Sequence, residues 1–248
     1  MFKYLVLTLC IVFSFLLGMY FYVGVPKLYP GGEASVRNPH RMGESSRSIS
    51  KISITAFYFV PKNKQENIFS DWHSVLEKKL DALVSFHTGQ LEGESTLTYE
   101  IYPEPVIGLL DNIEYDTLVT QYGNPEALRR ITPEIESRVL SSDGDGYVKG
   151  VGVAPDGTYH VLYIVYEGVG AIGGDNVALL SRAFLTEPEY STVASSLFAH
   201  EFYHTLGLPD EYTMPHAVPT SQDIMGLGRY RPITQTFLSS KLLKELGL

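Results

Sequence analysis

The sequence is poor in cysteine and in basic residues. Its only cysteine is Cys10, so disulfide bonds within the chain and structural zinc sites built from several cysteines are excluded. The 19 Lys and Arg residues stand against 28 Asp and Glu, which gives a net charge of −9. Phosphate binding relies on clustered Lys and Arg, so we expect no nucleic-acid partner. The 248 residues also contain no internal repeat.

The N-terminal end carries a long uncharged stretch. Tyr4–Val25 comprises 22 residues without a charge, rich in Leu, Phe, Val and Tyr. A helix rises 1.5 Å per residue, so this stretch is long enough to cross a hydrocarbon core of about 30 Å. It predicts a transmembrane signal anchor over residues 1–25. The alternative is a signal peptide whose cleavage releases the protein, but no small-x-small cleavage site stands out near Gly18 or Gly24.

Residues 26–50 are rich in Pro, Gly, Ser and Arg and carry no hydrophobic period. This composition predicts an extended tether between the anchor and a folded part. Residues 51–248 are then about the size of one domain with a sizeable core. The predicted organisation is therefore an anchor over 1–25, a linker over 26–50 and one domain over 51–248.

A helix is predicted immediately before the most specific motif of the chain. Residues 191–199 contain neither Pro nor Gly, and Ser191 and Thr192 are candidate N-caps. The motif itself, residues 200–210, reads HEFYHTLGLPD. The predicted helix should continue into its first residues.

The motif indicates a zinc hydrolase. Helical residues four apart share a face, so the imidazoles of His200 and His204 can bind one ion. Glu201 then lies beside the ion, where its carboxylate can act as the general base that the HExxH spacing implies.

A third ligand is expected beyond the helix. Gly207 can adopt the left-handed conformation that ends helices, and Pro209 prevents the helix from resuming. The chain can then turn back and direct Asp210 at the ion. The adjacent Glu211 is also a carboxylate and is the alternative ligand after the same turn, with Asp210 preferred. Three protein ligands leave one position open, which is typical of catalytic zinc sites.

The pattern HExxHxxGxxD resembles the extended zinc signature of the metzincin metallopeptidases, in the form with aspartate as third ligand that is similar to snapalysins. The stretch LGLPDEY from Leu206 to Tyr212 is also similar to immune-inhibitor-A-type peptidases. Metzincins carry a methionine turn beneath the metal, and Met225 in the sequence DIMG is the matching residue. These motifs cover only about 30 residues.

The resemblance implies an α/β (α+β) fold with a mixed twisted sheet, a backing helix, an active-site helix and a C-terminal helix. The sequence pattern is compatible with it. Strands are predicted at Ile52–Val60, Thr96–Tyr102, Tyr147–Val153, Thr158–Tyr166 and Asn176–Arg182, and helices at Ile68–His87, Asn124–Leu140 and Thr236–Leu246. Pro133 should break or restart the second of these helices. The glycine-rich residues 168–174 could form an edge strand over the cleft, and a flexible loop is the alternative.

The resulting hypothesis is a membrane-anchored zinc endopeptidase that acts on a peptide or protein substrate, with Zn²⁺ as cofactor. By the same resemblance, the catalytic domain is expected outside the cytoplasm. Tyr212 and Tyr230 are candidate donors to an oxyanion, although a packing role is the simpler interpretation of either tyrosine. Two other functions stay open. One is a membrane-tethered binding or assembly protein with a vestigial metal site, and the other is a zinc amidase that acts on a non-peptide amide.

Overall fold

The computed structural model describes residues 37–120, 123–140, 152–153, 156–211 and 222–248. The predicted anchor and the first part of the predicted tether lie outside these residues, as do residues 147–151 of a predicted strand and the candidate Tyr212. Among the helices that are described, none combines the length and the apolar character needed to cross a bilayer.

The centre of the fold is a mixed sheet of seven strands. The strands of the sheet are β3 (Lys51–Val60), β4 (Thr96–Ile101), β5 (Val106–Ile107), β6 (Gly152–Val153), β7 (Tyr159–Tyr166), β8 (Ala171–Gly174) and β9 (Val177–Ser181). The main path of the sheet runs in the order β4-β3-β7-β9-β8, with β5 paired to β3 and β6 paired to β7. All neighbours along the path are parallel except β8, which lies antiparallel to β9 at the edge.

Side chains that alternate in direction along the central strands β3 and β7 create a hydrophobic core on each face of the sheet. Ile54 and Tyr163 point to the larger core, which also contains residues of helix α1 (Trp72–Gln90). Phe57 and Ile164 point to the smaller core, which is covered by helix α3 (Pro125–Ile135). Because side chains on a strand alternate between faces, one apolar run such as ISITAFYFV can fill both cores.

The other helices are short, apart from the one that carries the HExxH motif. This helix, α5 (Ala194–Thr205), packs in the larger core and stacks Phe198 on Tyr163 with ring centroids 4.0 Å apart. The remaining helices are α2 (Asn112–Tyr115), α4 (Ala183–Thr186) and α6 (Ser240–Glu245), with 3₁₀ turns at Lys62–Asn67, Pro188–Tyr190, Leu227–Tyr230 and Ile233–Gln235.

Several predicted helix limits differ from the observed ones. Helix α1 begins at Trp72 instead of Ile68, and α5 has Val193 as its N-cap because the 3₁₀ turn at Pro188–Tyr190 precedes it. Helix α3 passes through Pro133 and ends in a π-helical turn, Glu136–Leu140, rather than breaking at the proline.

The C-terminal helix is shorter than predicted. It begins at Ser240, because the preceding residues are extended: Ile224 donates to the carbonyl of Phe237 at 2.8 Å, and Phe237 pairs with Asp223 in a parallel bridge.

The predicted tether does not extend to residue 50. Residues 40–48 form a hairpin of two short strands, β1 (His40–Arg41) and β2 (Glu44–Ser48), and Ile49 is fully buried in the larger core. The hairpin is bound to the end of α5, since Met42 donates its backbone N–H to Leu206 O at 3.0 Å. The compact unit therefore begins at Arg37. The polar residues of β2 explain why no hydrophobic period marks this segment.

A buried hydrogen-bonded chain links α5 to α1 and to the start of β3. The hydroxyl of Ser95 donates to Ile49 O at 2.5 Å, so it accepts from His87 Nε2 at 2.9 Å. His87 Nδ1 is then left to accept from Tyr203 at 3.3 Å. Burial lowers the pKa of His87 to about 3. The ring is therefore neutral in the folded protein at neutral pH.

This buried imidazole predicts acid sensitivity. An unfolded histidine takes up a proton near pH 6.5, whereas folded His87 does so only near pH 3. The contribution of His87 to the free energy of unfolding is therefore complete above about pH 6.5. It is lost as the pH falls, by up to about 1.4 kcal/mol per pH unit. Between about pH 7 and 5, the free energy of unfolding measured in urea should decline less steeply for His87→Gln than for the wild type at equal metal content. Parallel declines would contradict this role.

Candidate metal centre

Helix α5 places its two histidines so that their Nε2 atoms meet. The rings of His200 and His204 lie with centroids 4.6 Å apart and planes at 78°, and the two Nε2 atoms are 3.2 Å apart. This follows from the helical repeat, which stacks residues i and i+4 on one face. His200 is buried and His204 is half-buried at the floor of an open cleft.

The chain then turns back as its glycine and proline predict. Gly207 adopts a φ of +85° and donates its N–H to His204 O at 3.0 Å, which ends the helix. Asp210 follows, and its Oδ1 lies 3.2 Å from His200 Nε2 and 3.3 Å from His204 Nε2. Glu211 is directed elsewhere: its Oε1 lies 4.0 Å from Lys241 Nζ, and its backbone N–H donates to Met225 O at 2.9 Å.

The three candidate ligand atoms form a nearly equilateral triangle with edges of 3.2, 3.2 and 3.3 Å. A tetrahedral zinc ion with bonds of about 2.0 to 2.1 Å separates its ligand atoms by about 3.3 to 3.4 Å. The triangle is therefore the size of one face of such a tetrahedron. Within the described residues, His200, His204 and Asp210 are the only cluster of this kind.

Both imidazoles are held in the tautomer that a metal requires. His200 Nδ1 lies 2.9 Å from Ile224 O, and His204 Nδ1 lies 2.8 Å from Leu208 O. A carbonyl oxygen only accepts, so each Nδ1 carries the hydrogen and each Nε2 of the neutral ring presents its lone pair. Such outer hydrogen bonds orient metal-binding histidines. The donor set of two imidazole nitrogens and one carboxylate therefore fits zinc.

Glu201 is the buried acid of the site. It is 8% exposed and lines the same cleft as the three candidate ligands, but its carboxylate is not part of their cluster. Burial raises the pKa of its carboxyl group, while His200 and His204 oppose the shift. Glu201 thus lies in the same cleft as the candidate ligands and interacts with them electrostatically.

The methionine turn, residues 223–226, supports the site through a hydrogen bond to His200. Met225 is fully buried, and the preceding residue supplies the carbonyl that accepts from His200. The carboxylate of Asp223 holds this turn, since it accepts from the backbone N–H of Met225 at 2.8 Å and of Ser239 at 2.5 Å. Asp223 was not singled out in the sequence. Its position two residues before the methionine is the signal that could have identified it, because Asp commonly bonds to the backbone two residues on.

Edge strand β8 forms one wall of the cleft. In the part of the chain that is described, β8 pairs with β9 alone, so its other edge has no strand partner. Gly173 brings this strand against α5, because a Cβ there would lie 2.2 Å from Glu201 O and 2.8 Å from His204 Cβ. The glycine-rich residues 168–174 thus contain a strand instead of a flexible loop.

The cleft has a volume of about 400 Å³. Tyr230, one of the two candidate oxyanion donors, lines it and is 56% exposed. Arg229 also lines the cleft and was missed in the sequence, where a single Arg beside a Tyr carries no specific signal. The full lining consists of Thr120, Gly123, Gly170, Ala171, Ile172, Gly173, Phe184, Tyr190, Leu197, His200, Glu201, His204, Asp210, Arg229 and Tyr230.

Comparison with known proteins gives matches among solved structures. No protein-family model matches this chain, and no curated protein matches it. The solved structures that match include the crystal structure of a zinc-dependent peptidase from Methanocorpusculum labreanum (strain Z). It is 14% identical in sequence and aligns with a TM-score of 0.42 over 79% of this chain and 99% of that chain.

The geometry predicts which acid binds the metal. Asp210→Ala should lower zinc affinity by at least about tenfold, because it removes one of three ligands, whereas Glu211→Ala should change it by less than about threefold. Competition with a zinc-sensitive dye measures both constants. Equal losses in the two variants, with both proteins folded by circular dichroism, would contradict the assignment of Asp210.

Proposed function

We propose that this protein is a zinc-dependent peptidase with His200, His204 and Asp210 as metal ligands and Glu201 as general base. The observation that carries the proposal is the triangle of ligand atoms with edges of 3.2 to 3.3 Å beside a buried glutamate. Structural zinc sites usually have four protein ligands, whereas three ligands in an open cleft leave room for water and substrate. The metzincin-like motif and methionine turn support the same function.

In this mechanism, zinc would act as a Lewis acid that polarises the scissile carbonyl and acidifies water. Glu201 accepts the proton of the attacking water and then passes it to the leaving nitrogen. Its burial favours this role, because a raised pKa makes the carboxylate a better proton acceptor than an exposed glutamate. His200 and His204 are kept in orientation throughout by their bonds to Ile224 O and Leu208 O.

The edge strand supports a peptide as the substrate. β8 runs beside Glu201 and His204, and an extended peptide can add to such an edge through backbone hydrogen bonds. The vestigial-site alternative receives no support from the geometry, since all four residues of the proposed site are intact and lie in one cleft.

Replacing the proposed base tests the reaction. Glu201→Gln should retain zinc near one equivalent, because the side chain at this position is not a metal ligand, while peptide hydrolysis should fall by at least about a hundredfold. Cleavage of a mixed peptide library by residues 37–248, with and without a chelator, provides the assay, and metal analysis provides the control. Unchanged turnover in this variant would exclude Glu201 as the base.

We also propose that Tyr4–Val25 anchors the protein in a membrane, with the catalytic unit outside the cytoplasm. The support is the run of 22 uncharged residues, which is long enough to span a bilayer. The full chain should resist extraction from membranes by alkaline carbonate, and a protease added to intact cells should remove the catalytic unit. Recovery of a shortened chain in the medium would favour the cleaved signal peptide.

A further inference from the structure

Part of the cleft wall has no role in the proposed reaction. Leu197 lies one helical turn before His200 on α5, and this helix contacts the 3₁₀ turn that carries Arg229 and Tyr230. Phe184 and Tyr190 line the same cleft with their rings edge to face, 4.8 Å apart at the centroids. We refer to Phe184, Tyr190, Leu197, Arg229 and Tyr230 as the arginine subsite.

The backbone that carries Arg229 is fixed on both sides. At Gly228, a Cβ would lie 2.1 Å from Gln222 O and 2.5 Å from Asp223 O, so this residue packs directly on the backbone next to the methionine turn. Beyond Tyr230, the carbonyl of Arg231 accepts a hydrogen bond from Ser196 Oγ at 2.5 Å. The arginine side chain therefore starts from a position set by both the methionine turn and helix α5.

The guanidinium group is itself oriented by contacts. It lies over the ring of Tyr230, 4.5 Å from the centroid, and its Nη2 donates to the Tyr230 hydroxyl at 3.0 Å. A weaker contact joins Nη1 to Gly226 O at 3.5 Å. Stacking on an aromatic ring holds the planar fork of donors in a defined plane. Arg229 is one of the residues that line the cleft.

Charge distinguishes this wall from the rest of the cleft. Of the Lys and Arg residues that the structure describes, Arg229 alone lines the cleft, in a chain with a net charge of −9. The carboxylates that line it are Glu201 and Asp210, which the proposed reaction uses. Arg229 and Glu201 line the same cleft, so a group bound to Arg229 would lie in the cleft where the proposed reaction takes place.

On the basis of the proposed peptidase function, we infer that Arg229 recognises a carboxylate of the substrate next to the scissile bond. A guanidinium fork matches a carboxylate through paired, charge-assisted hydrogen bonds. Leu197 and the neighbouring rings offer apolar surface to the methylene groups that lead to it. The carboxylate is an Asp or Glu side chain, or the free C-terminus of a short peptide.

Matched peptides test this inference. In one arm, Glu is compared with Gln at each position flanking the cleaved bond, and in the other a free C-terminus is compared with its amide. The wild type should favour the carboxylate in one arm by about tenfold in kcat/KM. This is the effect expected of a charge-assisted hydrogen bond that is weakened by partial exposure to solvent. No preference for a carboxylate in either arm would overturn the inference.

Arg229→Gln should abolish this preference, and Arg229→Lys should retain part of it because the charge stays while the fork is lost. Arg231→Gln is the matched control, since Arg231 is exposed, carries the same charge two residues on and does not line the cleft. The control should keep the wild-type preference. An equal loss in the Arg229 and Arg231 variants would assign the effect to net charge and overturn the inference.

A binding measurement separates this inference from the proposed function. Fluorescence anisotropy of the labelled Glu and Gln peptides, or of the acid and amide pair, with zinc-loaded Glu201→Gln protein reports recognition without cleavage. Carboxylate discrimination that disappears in Glu201→Gln/Arg229→Gln would support the subsite even if the wild type cleaved no peptide. Cleavage of peptides without such discrimination would leave the peptidase proposal intact and overturn the subsite.

Discussion

Two hydrogen bonds from imidazole to backbone orient the histidines of the candidate metal centre. His200 Nδ1 donates to Ile224 O and His204 Nδ1 donates to Leu208 O, and these bonds fix both the ring orientation and the tautomer. Without them, each ring could rotate or present a protonated Nε2. The size of the ligand triangle therefore depends on the positions of two carbonyls from segments that lie outside the helix itself.

Each carbonyl is held by residues that never touch the metal position. Ile224 belongs to the turn that the Asp223 carboxylate fastens to Ser239, where the last helix begins. Leu208 follows Gly207 and donates its own N–H to Tyr203 O at 3.3 Å. The N-terminal hairpin supports the same corner through Met42, and Tyr159 donates its hydroxyl to Thr205 O at 2.6 Å. The hairpin at 40–48, the end of α5 and the start of α6 thus converge on the candidate metal centre.

The local part of this arrangement was predictable from the sequence. The spacing of His200 and His204 follows from the helical period, and the left-handed Gly207 follows from the freedom of a residue without Cβ. The apolar runs gave the central strands to within one or two residues. The predicted function of Glu201 rests on the same local spacing.

The parts that depend on distant contacts were not predictable. The hairpin at 40–48 is polar and is stabilised by backbone bonds from Met42 to Leu206 and from His40 to Leu246, which no local period reveals. Helix α6 starts late because Phe237 pairs with the methionine turn. The position of Arg229 likewise depends on distant contacts, because Ser196 bonds its turn to α5 and Gly228 packs the same turn on the backbone of Gln222 and Asp223.

The contrast between the two walls of the cleft suggests how recognition is divided. β8 reads Ala-Ile-Gly-Gly, and Gly173 lies so close to Glu201 O that no side chain fits between strand and helix. A substrate at this edge would meet backbone, which every peptide offers in the same form. Selection among peptides would then depend on the arginine subsite, where Leu197, Tyr230 and Arg229 offer side chains for recognition. Binding along β8 would fix the position of the scissile bond, while the arginine subsite would determine which peptides are cleaved.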